Sequence, residues 1–263
     1  MKSARFMTVK MIGLTSRARL KHVMEDSILL DGLVLDAGCG SGELLISLLL
    51  EGTDVVGLDR DIGQLEALRV AVKRMDEGCN LVAADVSHLP FRDSSFKALY
   101  CLEVINMLGK DEYALEEFAR TLERRGICTI SVPYAGYPII YDPVNKILER
   151  KGLRHRQLGI WSPGVKRLYE PFGLLLRLRS IGMNPMRLHY IGKWLIPILE
   201  NYVSLLLYYK VLAPKFRGQY ALQKKKHDSA LVNALSELLD YIVELDDLPD
   251  LYGTHFIINA RKL

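Results

Sequence analysis

The chain has 263 residues, of which 49% are hydrophobic and 25% are charged, and its formal net charge is +4. This length allows a large hydrophobic core, and the composition excludes long disordered tracts. A net charge of this size does not identify a partner, so only the placement of the basic residues is informative. They cluster at 150–156 and 215–227.

The cysteines and the first residues indicate where the chain resides. Cys39, Cys79, Cys101 and Cys128 form no CxxC pair and show no metal-ligand spacing, which favours reduced thiols and no metal site. No apolar run with a small-residue cleavage site follows the first basic residues, so a secretory signal is not expected. We expect a cytoplasmic protein.

Strands and helices alternate through the first half of the chain. A helix is predicted from Thr15 and Ser16, which can cap it, to about residue 29. Strands are then predicted at 33–36, 55–58, 81–84, 96–101 and 126–132, and helices at 42–51, 64–74 and 111–123. This alternation predicts a parallel sheet covered by helices.

Two insertions interrupt the alternation. The first, at 134–170, contains three prolines and a short predicted helix at 144–150. A helix at 171–181, a strand at 187–191 and a last strand at 254–260 follow. The second insertion, between these two strands, has helical periodicity at 194–212 and 229–245. In the latter, one apolar face is predicted from Leu231, Leu235, Leu238, Ile242 and Leu245.

A glycine-rich turn joins the first predicted strand to its helix. The segment VLDAGCGSG has glycine at Gly38, Gly40 and Gly42, where the missing Cβ lets a ligand approach the backbone. Asp59 ends the second strand roughly 20 residues after Asp36, the spacing at which a Rossmann unit places a carboxylate on ribose hydroxyls.

A third acid, Asp85, is predicted at the end of the third strand, where it can accept a hydrogen bond from an adenine amino group. Each acid taken alone is a common helix cap or turn residue. Because Asp36, Asp59 and Asp85 end consecutive strands, their joint pattern favours a nucleoside-containing ligand.

These segments resemble the class I S-adenosylmethionine-dependent methyltransferases, in the broad subgroup that includes quinone-biosynthesis methyltransferases. VLDAGCGSG, VVGLD and AADVSHLPFRDSSFKALY carry the resemblance. It implies an α/β fold with a Rossmann-like, mostly parallel seven-stranded sheet flanked by helices. The core would comprise 1–192 and 253–263, with a helical insertion at 193–252 as a lid or acceptor-binding subdomain.

The resemblance also implies S-adenosyl-L-methionine as the methyl donor and a set of residues that bind it. Asp36 and the glycine turn would hold the methionine part, Asp59 the ribose, and Asp85 with Val86 the adenine, while Leu102 and Glu103 would border the sulfonium. The expected cofactor-binding set is Asp36, Gly38, Cys39, Gly40, Gly42, Asp59, Arg60, Asp85, Val86 and Leu102.

Two other functions stay open at this point. A nicotinamide dehydrogenase would normally carry GxGxxG, whereas Glu43 stands where its third glycine is expected, so the methyltransferase pattern fits better. A non-catalytic binding subunit with the same fold remains an alternative, because methyl transfer depends mostly on alignment of the reactants.

No catalytic residue stands out in the sequence. Asp142 and His155 are candidates for a base, and His88 is a third. Asp142 precedes Pro143 and a helical stretch, which is also the pattern of a helix N-cap. His155 lies between two arginines, which would suit either a base or an anion-binding loop, and we favour the anion-binding loop.

The second insertion bears on the acceptor. The segment 194–209 is largely apolar but shorter than the roughly 20 residues that span a bilayer. One interpretation is a lid over a small apolar or amphiphilic acceptor, which could be reached by peripheral contact with a membrane. The other is a helix that packs on the helix at 231–245 or on a second subunit. The basic residues at 215–227 would suit lipid headgroups or the phosphates of tRNA or rRNA. The acceptor and the oligomeric state therefore stay open.

Overall fold

The computed structural model describes residues 13–27, 32–73, 75, 78–139, 141–153, 159–161, 163–200, 230–247 and 252–263. Its strands are β1 Val34–Ala37, β2 Val55–Asp59, β3 Asn80–Ala83, β4 Phe96–Leu102, β5 Leu122–Pro133, β6 Met183–Ile191 and β7 His255–Lys262. Its α-helices are α1 Leu14–Ser27, α2 Glu43–Leu50, α3 Ile62–Lys73, α4 Glu112–Thr121, α5 Pro143–Glu149, α6 Pro171–Ser180, α7 Leu195–Ile198 and α8 Ala230–Asp246.

All seven strands form one sheet with the order β3-β2-β1-β4-β5-β7-β6. Strands β1 to β5 run parallel to one another, whereas β7 runs antiparallel to both β5 and β6. The strand order reverses at β1 and β4, which opens a crevice at the carboxyl ends of these strands. The predicted α/β fold, with a mostly parallel seven-stranded sheet and a helical insertion before the last strand, is confirmed.

Helices cover both faces of the sheet. Helices α4 and α6 pack on one face, where Phe118 of α4 is fully buried. Helices α1, α2, α3 and α8 pack on the other, where Leu45 of α2 is fully buried. Side chains alternate along the central strands, so Leu35 of β1 faces the first layer and Val34 the second. Both faces of the sheet are therefore buried, and the crevice at the carboxyl ends of its strands remains open.

Strand β5 is longer than its sequence predicts. The pattern predicts a helix at 111–123 and a strand from Gly126, but β5 begins at Leu122, directly after α4. Its register with β4 shifts after Phe96, and Arg125 there adopts a left-handed φ of 67°. The extra residues form a bulge. A bulge has no period-two pattern, which explains why the sequence pattern places the strand start at the glycine.

Strand β6 also begins earlier than predicted, at Met183 rather than at residue 187. Pro185, which argues against a strand, lies inside it, at a register shift that ends at Arg187. The strand is at the edge of the sheet and pairs only with β7. Because proline has no N–H to donate, an edge strand tolerates it.

The buried face of α8 agrees only in part with the predicted one, since Ile242 packs against the core as predicted. Leu238 and Leu245 were predicted to face inward, but they are 52% and 40% exposed, whereas Val243 is 3% exposed. Arg17 of α1 binds Asp240 of α8, with 2.6 Å between Nη1 and Oδ1. This ion pair holds a different stripe of the helix against the core. The sequence offered two overlapping apolar stripes, and tertiary contacts select between them.

The predicted helix at 194–212 lies mostly outside the described residues, which include its first turns as α7. Asp246, at the end of α8, accepts hydrogen bonds from the backbone N–H groups of residues 193–196 at 2.6–3.0 Å. The carboxylate thus satisfies the free donors at the start of α7 and joins the two helices. Among the helices described, none has both the length and the apolar character needed to cross a membrane.

A buried carboxylate connects α4 and α6, the two helices that pack on the same face of the sheet. Asp111, before α4, is fully buried and accepts hydrogen bonds from Arg167, from Tyr169 and from Arg177 of α6 at 2.5–2.8 Å. Burial favours the neutral acid, but the hydrogen bonds from Arg177 and Tyr169 outweigh it and lower the pKa of Asp111. The group is therefore ionised and links α4, α6 and the first insertion.

We expect Asp111→Ala to lower the free energy of unfolding by about 3 kcal/mol, because removal of one partner leaves two arginines without their buried counter-charge. Asp93→Ala is the matched control: Asp93 pairs with Arg120 at 2.8 Å, but its side chain is 75% exposed. That change is expected to cost less than about 1 kcal/mol. Urea unfolding at pH 7 measures both, and equal losses would contradict the prediction.

Candidate functional site

The turn after β1 is built by glycines in left-handed conformations. Gly38 and Gly42 have φ angles of 85° and 83°, which residues with a Cβ rarely adopt. A Cβ on Gly38 would lie 2.3 Å from Val104 Cγ2, and one on Gly42 would lie 2.2 Å from Leu68 Cδ1. These two glycines therefore allow close packing behind the turn. A Cβ on Gly40 would meet only Gln64, at 3.4 Å, so Gly40 is the glycine with open space beside it.

Asp59 at the end of β2 is tied to this turn. Its Oδ2 accepts a hydrogen bond from the Gly40 N–H at 2.9 Å, and its Oδ1 accepts one from the Asp61 N–H, also at 2.9 Å. Each carboxylate oxygen can accept a second hydrogen bond. The side chain is thus fixed in position, with acceptor capacity left for a diol.

Asp85 lies two residues after β3, not at its end as predicted, because β3 ends at Ala83. Its Oδ1 accepts a hydrogen bond from the Ser87 N–H at 2.8 Å, which makes a local turn and leaves Oδ2 available. Val86 beside it is buried and packs in the core. The loop therefore presents an acceptor next to an apolar wall.

A cavity of about 280 Å³ opens at the carboxyl ends of β1, β2 and β4 and beside the loop after β3. Of the predicted cofactor-binding residues, the following line it: Gly38, Gly40, Asp59, Arg60, Asp85, Val86 and Leu102. The structure brings together seven residues from four separate segments, as expected for a ligand at the strand reversal. Their contacts with a cofactor remain a prediction.

Three predicted residues lie behind the cavity rather than on its wall. Asp36 is 3% exposed and Cys39 is 7% exposed, while Gly42 packs against Leu68. Burial, reinforced by the charge of Asp59, raises the pKa of Asp36 to about 7. Its Oδ2 is buried and has no hydrogen-bond partner among the described residues. Burial also raises the pKa of Cys39, which therefore stays a neutral thiol.

Six further residues that line the cavity were not predicted from the sequence. Asp61 and Gln64 follow β2, and Ala84 follows β3, whereas Val104, Met107 and Leu108 follow β4. Val104, Met107 and Leu108 add apolar side chains to the wall. Their positions directly after strand ends were the available signal, since loops at the carboxyl ends of parallel strands form the binding crevice.

Glu103, expected to border the sulfonium, lines the cavity directly after β4. It has a φ of 61°, a left-handed conformation that is costly for a residue with a Cβ. Its N–H donates to the Ser131 carbonyl of β5 at 3.0 Å, which holds this backbone in place. Strain of this kind concentrates where a side chain must point in a particular direction.

Two of the three candidates for a base, Asp142 and His155, have different outcomes. Asp142 caps α5: it accepts hydrogen bonds from the Asn145 N–H at 3.0 Å, from the Asn145 side chain at 2.7 Å and from the Ile160 N–H at 3.2 Å. It is 5% exposed and lies outside the cavity wall, so its role is structural. His155 falls at 154–158, outside the described residues.

Residues 134–141 contain three tyrosines with distinct surroundings. Tyr137 is 1% exposed and belongs to a small core with Ile160 and Trp161. Tyr134 packs against Tyr190 and two other rings at the edge of the sheet. Burial and the charges of Glu200 and Glu103 raise the pKa of Tyr141.

The side chains and backbone groups around the cavity fit the cofactor that the resemblance implies. Acceptors on Asp59 suit a ribose diol, Asp85 with the apolar Val86 suits an adenine, and Gly40 leaves the backbone accessible. Leu102, at the end of β4, would lie near the sulfonium. A ligand with a nucleoside at one end and an amino acid at the other matches this order along the strand ends.

Comparisons with known proteins agree with this geometry. Residues 35–130 match the family model described as methyltransferase domain. The methyltransferase GfsG of Streptomyces halstedii is 33% identical over 102 residues, 37% of this chain and 36% of that protein. The demethylmenaquinone methyltransferase of Clavibacter sepedonicus is 32% identical over 103 residues, 38% of this chain and 42% of that protein. The chain thus spans about two fifths of the length of these relatives.

The fold extends beyond the matched segment. The structure of the Burkholderia thailandensis 1,6-didemethyltoxoflavin-N1-methyltransferase, with bound 1,6-didemethyltoxoflavin and S-adenosylhomocysteine, superposes with a TM-score of 0.55 and 16% identity. The match covers 94% of this chain and 79% of that one. The segment 35–130 is therefore a methyltransferase domain, and the chain has the fold of the class I S-adenosylmethionine-dependent methyltransferases.

Proposed function

We propose that the protein transfers the methyl group of S-adenosylmethionine to a small apolar or amphiphilic acceptor. The observation that carries the proposal is the cavity at the strand reversal, which is lined by Asp59, fixed by the Gly40 N–H, and by apolar side chains that include Leu102 and Met107. Carboxylate acceptors and hydrophobic side chains in one cavity suit a nucleoside and a neighbouring apolar ligand.

The residues of the chain would act mainly by alignment. S-adenosylmethionine supplies an electrophilic methyl group on a sulfonium, so the protein must hold the acceptor in line with it and exclude water. Such positioning is worth about 7–11 kcal/mol. Asp59 and Asp85 would bind the nucleoside, and Leu102 and Glu103 would border the reacting groups.

Two named relatives support a small acceptor. One is called a demethylmenaquinone methyltransferase, and the other is a methyltransferase solved with 1,6-didemethyltoxoflavin. Both names refer to small molecules. The apolar side chains on the cavity wall after β4 favour an acceptor of the same broad kind for this chain.

We also propose that the insertion at 193–252 borders the acceptor, with 1–192 and 253–263 forming the core. Helix α1 supports this, because the insertion holds it at two points: Glu200 accepts from the Thr15 N–H at 2.7 Å, and Asp240 binds Arg17. Two residues further along α1, Arg19 reaches Glu103 in the site, at 3.3 Å. The insertion and the site thus share one helix.

We predict that Asp59→Ala weakens S-adenosylhomocysteine binding at least roughly tenfold, because a hydrogen bond to a charged acceptor contributes about 1.5–3 kcal/mol. Asp54→Ala is the matched control, since Asp54 is an exposed acid just before the other end of β2. Calorimetric titration compares the two variants with the wild type. Unchanged affinity in Asp59→Ala would remove Asp59 from the site, and no binding by the wild type would refute the proposed function.

A second prediction concerns pH. With its pKa near 7, Asp36 is largely protonated at pH 6 in the free protein. The ammonium group of the ligand's methionine part would favour the ionised carboxylate, so binding releases a proton and affinity rises with pH. S-adenosylhomocysteine should bind about tenfold more tightly at pH 8 than at pH 6. The same titrations on Asp36→Asn should show a much smaller change, and an equal change in both proteins would exclude Asp36 as the cause.

The acceptor class can be measured directly. Incubation of the protein with methyl-labelled S-adenosylmethionine and fractionated cell extract should place label in a small-molecule or lipid fraction. Label in RNA would instead support a tRNA or rRNA acceptor, and label in no fraction would support a non-catalytic binding subunit. The Asp59→Ala protein, compared at equal concentration, identifies label that depends on the proposed site.

A parallel binding experiment separates the membrane and RNA alternatives. Flotation with anionic liposomes and a gel shift with bulk tRNA, run at the same salt concentration, test the basic segment 215–227. Binding to liposomes would support peripheral contact with lipid. Salt-sensitive tRNA binding without flotation would contradict a lipid-like acceptor. Binding to neither would favour a small acceptor in solution.

A further inference from the structure

Glu103 is the centre of a polar cluster beside the cavity, which Glu103 and Asp59 both line. The cluster draws on four distant parts of the chain: Arg19 from α1, Ser131 from β5, His255 from β7 and Asn106 from the turn after β4. Ser131 and Asn106 are fully buried, and the Glu103 side chain is 19% exposed. Glu103 is the member of the cluster that reaches the cavity wall.

The two carboxylate oxygens of Glu103 have unequal surroundings. Oε1 accepts a hydrogen bond from the Ser131 hydroxyl at 2.7 Å and lies 3.3 Å from Arg19 Nη2. Among the residues that the structure describes, Oε2 accepts one long hydrogen bond, from the Asn106 side chain at 3.3 Å, and His255 Nε2 lies 3.7 Å away, beyond hydrogen-bond distance. An ionised oxygen has two lone pairs, so Oε2 keeps acceptor capacity.

A chain of donors fixes the orientation of this carboxylate. Arg19 Nε donates to Ser131 Oγ at 3.0 Å, and the Ser131 hydroxyl then donates to Oε1. Because Ser131 accepts from an arginine, its own proton must point to Glu103. The left-handed backbone at Glu103 directs the side chain toward this pair. The open oxygen is therefore held in one place, as catalysis by alignment requires.

The charges of the cluster nearly cancel. Arg19 is positive and Glu103 is negative, and they are in contact. Burial lowers the pKa of His255; Glu103 raises it less, and Arg19 lowers it further. The imidazole is therefore neutral near pH 7, with Nδ1 at 2.9 Å from Thr254 Oγ1. Burial also raises the pKa of Tyr141, which keeps that phenol neutral. A neutral acceptor suits this environment better than an ammonium ion or a phosphate.

We propose that Glu103 is a catalytic residue that accepts the hydrogen bond and then the proton of a neutral hydroxyl acceptor, so that the product is an O-methyl compound. This inference rests on the proposed methyl-transfer function. Arg19 and Ser131 are positioning residues that act through Glu103. Asn106 and His255 flank Oε2 and leave it open to the acceptor.

The step balances without a further reactant. A lone pair on the acceptor oxygen forms the bond to the methyl carbon while the bond from that carbon to sulfur breaks, and its electron pair stays on sulfur. The positive charge passes from sulfur to the acceptor oxygen, which becomes strongly acidic. Its proton moves to Oε2 of Glu103, and solvent removes it after the product leaves.

The experiment uses the full chain, S-adenosylmethionine with a ¹³C-labelled methyl group, and the extract fraction that the wild type methylates. We expect the carbon spectrum of the product to show a methyl group on oxygen. We expect Glu103→Gln to lower kcat roughly 100-fold or more, the usual contribution of a general base, with S-adenosylhomocysteine affinity within threefold of the wild type. Glu123→Gln, at an exposed acid paired with Lys97, is the control and should keep the wild-type rate.

Ser131→Ala tests the positioning role independently and serves where Glu103→Gln does not fold. It should lower kcat about tenfold and leave the KM for S-adenosylmethionine unchanged. This combination is expected when a group stabilises the transition state alone. A merely structural role would change the KM or the thermal stability instead. A methyl group on nitrogen, carbon or sulfur would overturn the inference, as would wild-type kcat in Glu103→Gln. No transfer to any fraction by the wild type would refute the proposed function itself.

Discussion

The hydrogen bond from the Gly40 N–H to Asp59 Oδ2 is the interaction on which the cofactor side of the site depends. It joins the turn after β1 to the end of β2, and these two segments are already close because the strands run parallel and end on the same side of the sheet. The left-handed Gly38 and Gly42 let Val104 and Leu68 pack behind the turn, so the loop cannot relax away from Asp59. One charge-assisted bond thus sets the direction of both a backbone donor and a carboxylate.

The side of the site that we propose for the acceptor, called the acceptor side below, is held together by contacts between residues far apart in the sequence. Arg19 and Ser131 meet through α1 and β5, and their shared partner Glu103 follows β4. No spacing in the chain could indicate this cluster, because its members come from four elements. The left-handed backbone of Glu103 also has no glycine to mark it. Only the packing of α1 across the sheet reveals that the acid has fixed partners.

Sequence patterns therefore predicted the features that are determined by residues close together in the chain. Alternating strands and helices predicted the sheet, and the glycine turn predicted the position of the crevice. Such patterns could not predict the bulge at Arg125 in β5, or that Pro185 would be accepted within an edge strand. The inward face of α8 also depended on a remote contact, the ion pair between Arg17 and Asp240. Of the ten residues expected to bind the cofactor, seven line the cavity at or just after strand ends, whereas Asp36, Cys39 and Gly42 lie behind it.

Helix α1 couples the insertion to the acceptor side of the site. Thr15 is bound by Glu200 and Arg17 by Asp240, so the insertion fixes the helix that carries Arg19. Asp246 fixes the start of α7 and thereby the segment that reaches Glu200. A shift of α8 along α1 would move the guanidinium of Arg19 relative to Glu103. Because alignment rather than chemical reactivity limits methyl transfer, even a small displacement there would change the rate. Under the proposed function, substitutions in α8 would therefore alter the rate of methyl transfer without touching the cavity, through the geometry of one helix.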